Sequence, residues 1–146
     1  MKKIIFTCVV LLFCLSSCTK EGDFTKPLDE NTSTLNSVLL KSGAFAPTSG
    51  ITVNGSAEVR MKPNEYYIEL VNFKISSGPD LKVYLSKSNE PNDFVNLGAM
   101  ESNKSVYTIP NGLILSEYTH VLIHCQQYDH LFAIAQLNYL WKRQVQ

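Results

Sequence analysis

The chain has 146 residues, of which 45% are hydrophobic and 18% are charged, and its 13 basic residues balance its 13 acidic ones. This length allows one domain with a buried core of its own. The balanced charge and the lack of a basic stripe argue against nucleic acid as a partner.

Residues 1–17 predict a lipoprotein signal peptide. Lys2 and Lys3 precede a short, mostly apolar run, Ile4–Leu15, which is too short to cross a bilayer comfortably as a helix. The run leads into Leu15-Ser-Ser-Cys18, a pattern typical of a bacterial lipobox, in which the cysteine thiol receives lipid. Cleavage then makes Cys18 the modified first residue. The alternative is an ordinary secreted protein that is cleaved near the same place.

Lipidation also decides which cysteines remain. Cys8 and Cys14 leave with the signal peptide and Cys18 carries the lipid, so Cys125 is the only free thiol and no internal disulfide can form. We expect a protein of the cell envelope, anchored through its lipid to a bacterial membrane. The outer membrane is the expected one, with the domain facing the periplasm or the surface.

Residues 18–36 predict a flexible tether, because this polar stretch buries too little apolar area to offset its ordering entropy. Residues 37–146 predict a single β domain. Short runs rich in branched and aromatic residues are separated by turn signals about every eight to twelve residues. The predicted strands cover residues 51–61, 66–73, 81–86, 94–100, 105–109, 118–125 and 131–137.

These strands predict an all-β fold, an antiparallel β-sandwich or a barrel-like single domain. Two segments outside them, Leu35–Leu40 and Asn138–Lys142, could each carry a helical turn. No internal repeat interrupts the pattern.

Cys125 is the residue with the clearest chemical potential. Alternation along its strand places Val121, Ile123 and Cys125 on one face, and His120, Leu122 and His124 on the other. One interpretation is a redox-active or metal-binding thiolate, which needs exposure and nearby positive charge. The other is a small hydrophobe packed in the core, where free cysteine is common.

A metal site is the weaker hypothesis. The spacing of Cys125 and His130 is similar to that of the ligand loop of blue-copper proteins, and His124 is a further accessory candidate. Such a site also needs a second histidine from elsewhere, and usually an axial methionine. No methionine follows His130, and no histidine precedes His120. We therefore expect no metal and no cofactor.

Asp80 is the remaining candidate. It follows Gly78-Pro79 and could be a ligand, although an aspartate that caps a turn is the commoner case. The chain carries no hydrolase elbow, no zinc-protease motif, no calcium loop and no phosphate-binding glycine run. The sequence therefore supports no enzymatic turnover.

Several segments together resemble the DM13 domain family. They occur in the expected order between Lys41 and Leu137: Ser42–Phe45, Val53–Val59, Leu70–Phe73, Gly78–Leu85, Asn96–Gly98, Tyr107–Pro110, Tyr118–Cys125 and Phe132–Leu137. The resemblance implies a compact β-sandwich-like domain outside the cytoplasm. It also implies a proposed part in electron transfer, through a cysteine that Cys125 matches. The chain differs in having His124 where the family often has tryptophan.

We therefore predict a membrane-anchored, extracytoplasmic DM13-like domain that acts as a redox or electron-transfer accessory on a protein partner through Cys125. A lone thiol can do so only through a sulfenic acid, a mixed disulfide or a bound metal. The alternative is a non-enzymatic surface binding or interaction module in which Cys125 is a structural core residue.

Overall fold

The structure, a computed structural model, describes residues 37–140. The predicted signal peptide, the tether and Cys18 lie outside these residues. Within them, no helix is long and apolar enough to cross a membrane. The strands are β1 (Val38–Pro47), β2 (Val53–Lys62), β3 (Glu65–Ile75), β4 (Leu81–Ser86), β5 (Phe94–Ala99), β6 (Val106–Ile109), β7 (His120–Cys125), β8 (His130–Gln136) and β9 (Asn138–Tyr139).

The strands form one antiparallel sheet that curves almost into a barrel, so the predicted fold class is confirmed. The strand order is β5-β4-β7-β8-β1-β2-β3-β6, and the short β9 pairs with the beginning of β1. Strands β5 and β6 stand at the two ends of this order and do not pair with each other. The barrel therefore has an open seam between β5 and β6.

The core fills the inside of the curved sheet. Strand β4 has the predicted bounds, and its inward residues face those of β7: Val83 pairs with Ile123, and Leu85 pairs with Val121. All four side chains are fully buried. Burying an aliphatic side chain of this size stabilises a fold by about 1.5–3 kcal/mol. Packing of this kind, without any disulfide in the described part of the chain, holds the sheet together.

Strand β1 corrects the prediction of a helical turn at Leu35–Leu40, because the chain is extended from Val38 onward. β1 pairs with β2 on one side and with β8 on the other, which joins the two halves of the sheet. Gly43 permits the close approach of β1 to β8, since a Cβ at this position would collide with the backbone carbonyl of Gln136. At the other end of the domain, Asn138–Tyr139 forms β9, and Leu140 after it is in a 3₁₀ turn; residues 141–142 of the predicted helical turn lie outside the described residues.

Lys41 is a buried cation that fastens a long loop to β1. Only 3% of the residue is exposed. Its Nζ donates hydrogen bonds to the carbonyl oxygens of Leu115, at 2.7 Å, and Tyr118, at 2.8 Å, and lies 4.5 Å from the centre of the Tyr139 ring. These contacts hold the loop between β6 and β7 against the sheet.

Replacing this cation tests how much the loop depends on it. Lys41→Met keeps most of the side-chain volume but leaves the buried Tyr118 carbonyl without its donor. We expect the free energy of unfolding, measured by urea denaturation, to fall by about 2 kcal/mol. Lys62→Met is the control, because the Lys62 ammonium lies over the Tyr67 ring and makes no such buried bonds. Equally small changes in the free energy of unfolding of the two variants would contradict the role assigned to Lys41.

Candidate functional site

Cys125 is the last residue of β7 and points into the barrel. It is fully buried and belongs to the apolar core cluster. Its neighbours across the sheet are Leu81 of β4 on one side and His130 of β8 on the other. The thiol therefore lies at the end of the core, next to the turn between β7 and β8, and is shielded from solvent.

Beside this end of the core, the open seam widens into a groove of about 800 Å³. One wall comes from the second half of β3 and the loop that follows it, and the other from the end of β5 and the β5–β6 loop. Leu81 lines the groove and is also the cross-strand neighbour of Cys125. Paired residues of an antiparallel sheet lie on the same face. Leu81 is therefore the residue that adjoins both Cys125 and the groove.

A glycine makes room for that side chain. A Cβ at Gly78 would lie 2.7 Å from Cδ2 of Leu81 and 3.0 Å from Cζ of Phe132. The β3–β4 loop can therefore pass close over both side chains only because Gly78 has none. This close passage covers the side chain of Leu81, the cross-strand neighbour of Cys125.

His124 lies on the opposite, outer face of β7, as the alternation predicts, but it is also buried. Only 5% of the residue is exposed, because its ring stacks against Tyr84 with centres 5.4 Å apart. Its Nε2 lies 3.3 Å from Oδ1 of Asp129, whose carboxylate is exposed. Its Nδ1 is buried and has no hydrogen-bond partner.

Tyr84 occupies the centre of this outer-face cluster. Its ring also stacks on Phe94, with centres 4.0 Å apart and an angle of 12° between the ring planes. Burial raises the pKa of the Tyr84 hydroxyl, against an opposing effect of the Lys82 cation. The tyrosine therefore stays neutral at ordinary pH and works as a cover for the outer face of β4 and β7.

Comparison with known protein families identifies this domain. The model of the family described as "Electron transfer DM13" matches residues 47–137. The chain belongs to the DM13 family. The match includes every strand from β2 to β8, together with Cys125, and confirms the resemblance seen in the sequence. No curated protein and no solved structure matches the chain.

In this DM13 domain the accessory candidates do not gather around the thiol. His130 is paired with Cys125 in the sheet, but its ring is exposed and meets Phe132 edge-on at 5.4 Å. The Asp80 carboxylate forms an ion pair with Lys82 at 2.7 Å, and its backbone carbonyl accepts a hydrogen bond from the Gln126 amide. Asp80 is thus a loop-fixing residue beside the groove.

The DM13 domain also brings no metal-ligand set together between residues 37 and 140. No group of three or more histidine, cysteine, aspartate or glutamate side chains there could hold an ion. His124 and Cys125 project to opposite faces of β7, and the nearest carboxylate to His124, that of Asp129, is the only charged partner of its ring. What the site offers is a shielded thiol next to a groove.

The sequence did not predict the groove. Its lining residues include Phe73 and Lys74 at the end of β3 and Met100 and Lys104 after β5, which are far apart along the chain. The sequence feature that could have indicated the groove is the presence of apolar and charged residues in loops that otherwise have the composition of turns. Only the curvature of the sheet brings the two loops together.

His120, at the start of β7, is half-buried and hydrogen-bonded to its neighbour Thr119. The Thr119 hydroxyl donates a hydrogen bond to the Lys87 carbonyl at 2.8 Å and therefore accepts one from the N–H at Nδ1 of His120, also at 2.8 Å. Charging the ring requires a second proton on Nε2, and burial lowers the pKa of His120 from its ordinary value of 6.5.

We expect the free energy of unfolding to fall when the pH drops below 6.5, because the unfolded chain then takes up a proton at His120 before the folded chain does. The decline stops once the pH passes below the lowered pKa of the folded state. Above 6.5 this residue contributes no pH dependence. Urea denaturation at several pH values should show a shallower decline in His120→Gln. If the free energy of unfolding falls equally with pH in the variant and in the unaltered protein, the role assigned to His120 is wrong.

Proposed function

We propose that this protein is a lipid-anchored, extracytoplasmic DM13 domain that serves as a redox accessory through Cys125. The family match over residues 47–137 supports the redox role, and it is the observation that carries the proposal. The lipobox ending in Cys18 and the polar stretch 18–36 support the anchor and a tether that holds the domain away from the membrane.

Access to the thiol is the step that this role requires. Cys125 is fully buried, but its cross-strand neighbour Leu81 also lines the groove, so the groove is the route to the thiol in this proposal. A rotation of Leu81 into the groove exposes the sulfur without unfolding the sheet. Local openings of this kind cost less free energy than global unfolding.

The chemistry is thiol–disulfide exchange with a protein partner. The Cys125 thiol loses its proton to water, and its sulfur attacks one sulfur of a disulfide in the partner. The partner's S–S bond breaks, a mixed disulfide forms, and the second partner sulfur leaves as a thiolate that takes up a proton. Another thiol of the partner then attacks the partner's sulfur in the mixed disulfide, which forms a new partner disulfide and releases Cys125 as a thiolate that takes up a proton. The cycle thus rearranges the partner's disulfide bonds without a net transfer of electrons. No cofactor takes part.

The second candidate is a binding module in which Cys125 is structural. The full burial of Cys125 among the apolar residues of the core favours it. In this function the groove binds the ligand, and the thiol only packs in the core. The two candidates differ in whether the folded protein reacts at Cys125.

Thiol exchange in folded variants separates them. With 4,4′-dithiodipyridine, Cys125 forms a mixed disulfide and releases one pyridinethione, whose absorbance gives the rate. Leu81→Ala opens the path from the groove, and should raise the rate about tenfold or more, because the side chain stabilises the closed state by about 1.5–3 kcal/mol. Val83→Ala is the matched control, since Val83 faces the same core from β4 but does not line the groove.

Rates in both variants are compared with their global unfolding rates. The redox proposal expects exchange in Leu81→Ala to be far faster than unfolding, and the Val83→Ala rate to stay near that of the unaltered protein. If all three proteins react only as fast as they unfold, Cys125 is a core residue and the binding module is the better function.

The lipid anchor is tested at the N-terminus. Mass spectrometry of the protein from bacterial membranes should give a mature chain that begins at a lipidated Cys18. Cys18→Ser should leave the protein unlipidated and move it from the membrane fraction to the soluble or unprocessed fraction. An unmodified terminus, or a chain that begins elsewhere, would contradict the proposal.

A further inference from the structure

The groove exists because the barrel does not close along the second half of β3. Strand β6 pairs with β3 only over Tyr66–Glu69, and the last bond across this edge joins the Leu70 amide to the Ser105 carbonyl at 2.8 Å. Beyond it, β3 continues to Ile75 with no strand on the seam side within the described chain. The space left there is the groove.

The walls of the groove favour a small molecule over an added peptide strand. Asn72 has a φ of 50° within a bulge of β3 that lies opposite Gly55, and Gly98 has a φ of 122° where the pairing of β4 and β5 shifts. Bulges of this kind twist a strand edge and interrupt its ladder. A volume of about 800 Å³ falls within the range of small-molecule sites, which are common at the mouths of β-barrels.

The floor of the groove is apolar and firmly held. Leu70 and Leu81 are almost fully buried, and the Phe73 ring meets Phe45 edge-on at 4.9 Å. Met100 completes the floor, and its amide donates to the Leu81 carbonyl at 2.8 Å. These side chains present a hydrocarbon surface that suits an apolar chain.

The charged groups at the rim favour an anion. Lys74 and Lys104 line the groove, and neither forms an ion pair among residues 37–140; the Lys104 ammonium lies 4.8 Å from the centre of the Tyr107 ring. Of the two acidic residues in the lining, Asp80 is neutralised by Lys82, which leaves Glu101. The groove therefore carries one positive charge in excess.

We propose that the seam groove is a binding site for an amphiphilic monoanion, with an apolar chain on the floor formed by Leu70, Phe73, Leu81 and Met100, and with a carboxylate head near Lys74 and Lys104. The site does not require Cys125 to be reactive, so it stands apart from the proposed redox function.

Decanoate is the probe, used below its micellar concentration with the whole mature chain carrying Cys18→Ser, so that no lipid is attached. Calorimetry compares it with decanol and decyltrimethylammonium, which have the same chain with a neutral or a cationic head. We expect saturable binding, tightest for decanoate and weakest for the cation. Amide chemical shifts should move at residues 70–81 and 99–105.

The lysine variants test the head group. Lys74→Gln and Lys104→Gln, both at exposed positions, should each weaken decanoate binding about threefold and leave decanol binding unchanged. Lys62→Gln, outside the groove, is the control and should change neither. The proposal fails if decanoate does not saturate, if the cation binds as tightly as decanoate, or if the shifts move elsewhere on the domain.

Discussion

The burial of β7 on both faces is the constraint on which this domain depends. Its inward residues pack against β4 and β8 inside the barrel, as expected of a central strand. Its outward residues are covered as well: Leu122 is fully buried beside Tyr84, whose ring is held between Phe94 and His124. A strand enclosed in this way can hold a thiol at its end in one defined place.

The open seam between β5 and β6 contrasts with the buried strand β7. A fully closed barrel has no free edges, whereas this sheet ends at β5 and β6 and leaves the second half of β3 without a neighbour on one side. The groove forms there, and Leu81 belongs to both parts, since it pairs with Cys125 and lines the groove. The proposed route to the thiol and the proposed ligand site therefore share one residue, Leu81, although either proposal can hold without the other.

Local patterns were enough to predict most of the fold. The alternation in Leu81–Ser86 and in the strand ending at Cys125 matches the observed strands, because each residue's parity decides which face it occupies. Strand β1 escaped prediction because Lys41 is a cation and Gly43 has no side chain, and neither residue type indicates a strand. Their roles are tertiary: Lys41 bonds to loop carbonyls, and Gly43 lets the backbone of β8 approach.

The candidate site was only partly predictable for the same reason. The inward direction of Cys125 follows from the alternation of side chains along β7, and its full burial agrees with the tendency of free cysteine to be buried. The burial of His124 on the outer face could not be read from alternation, because it depends on the ring of Tyr84 from the neighbouring strand β4. The groove depends on how far the sheet curves, which no local pattern encodes.

The most direct test of the central claim, that the Cys125 thiol can be reached past Leu81 while the sheet stays folded, is the rate of Cys125 exchange as a function of low urea concentration. A local opening exposes little surface, so we expect a dependence on urea much weaker than that of global unfolding. A dependence as steep as that of global unfolding would show that the thiol is reached only when the whole sheet comes apart, and would contradict the claim.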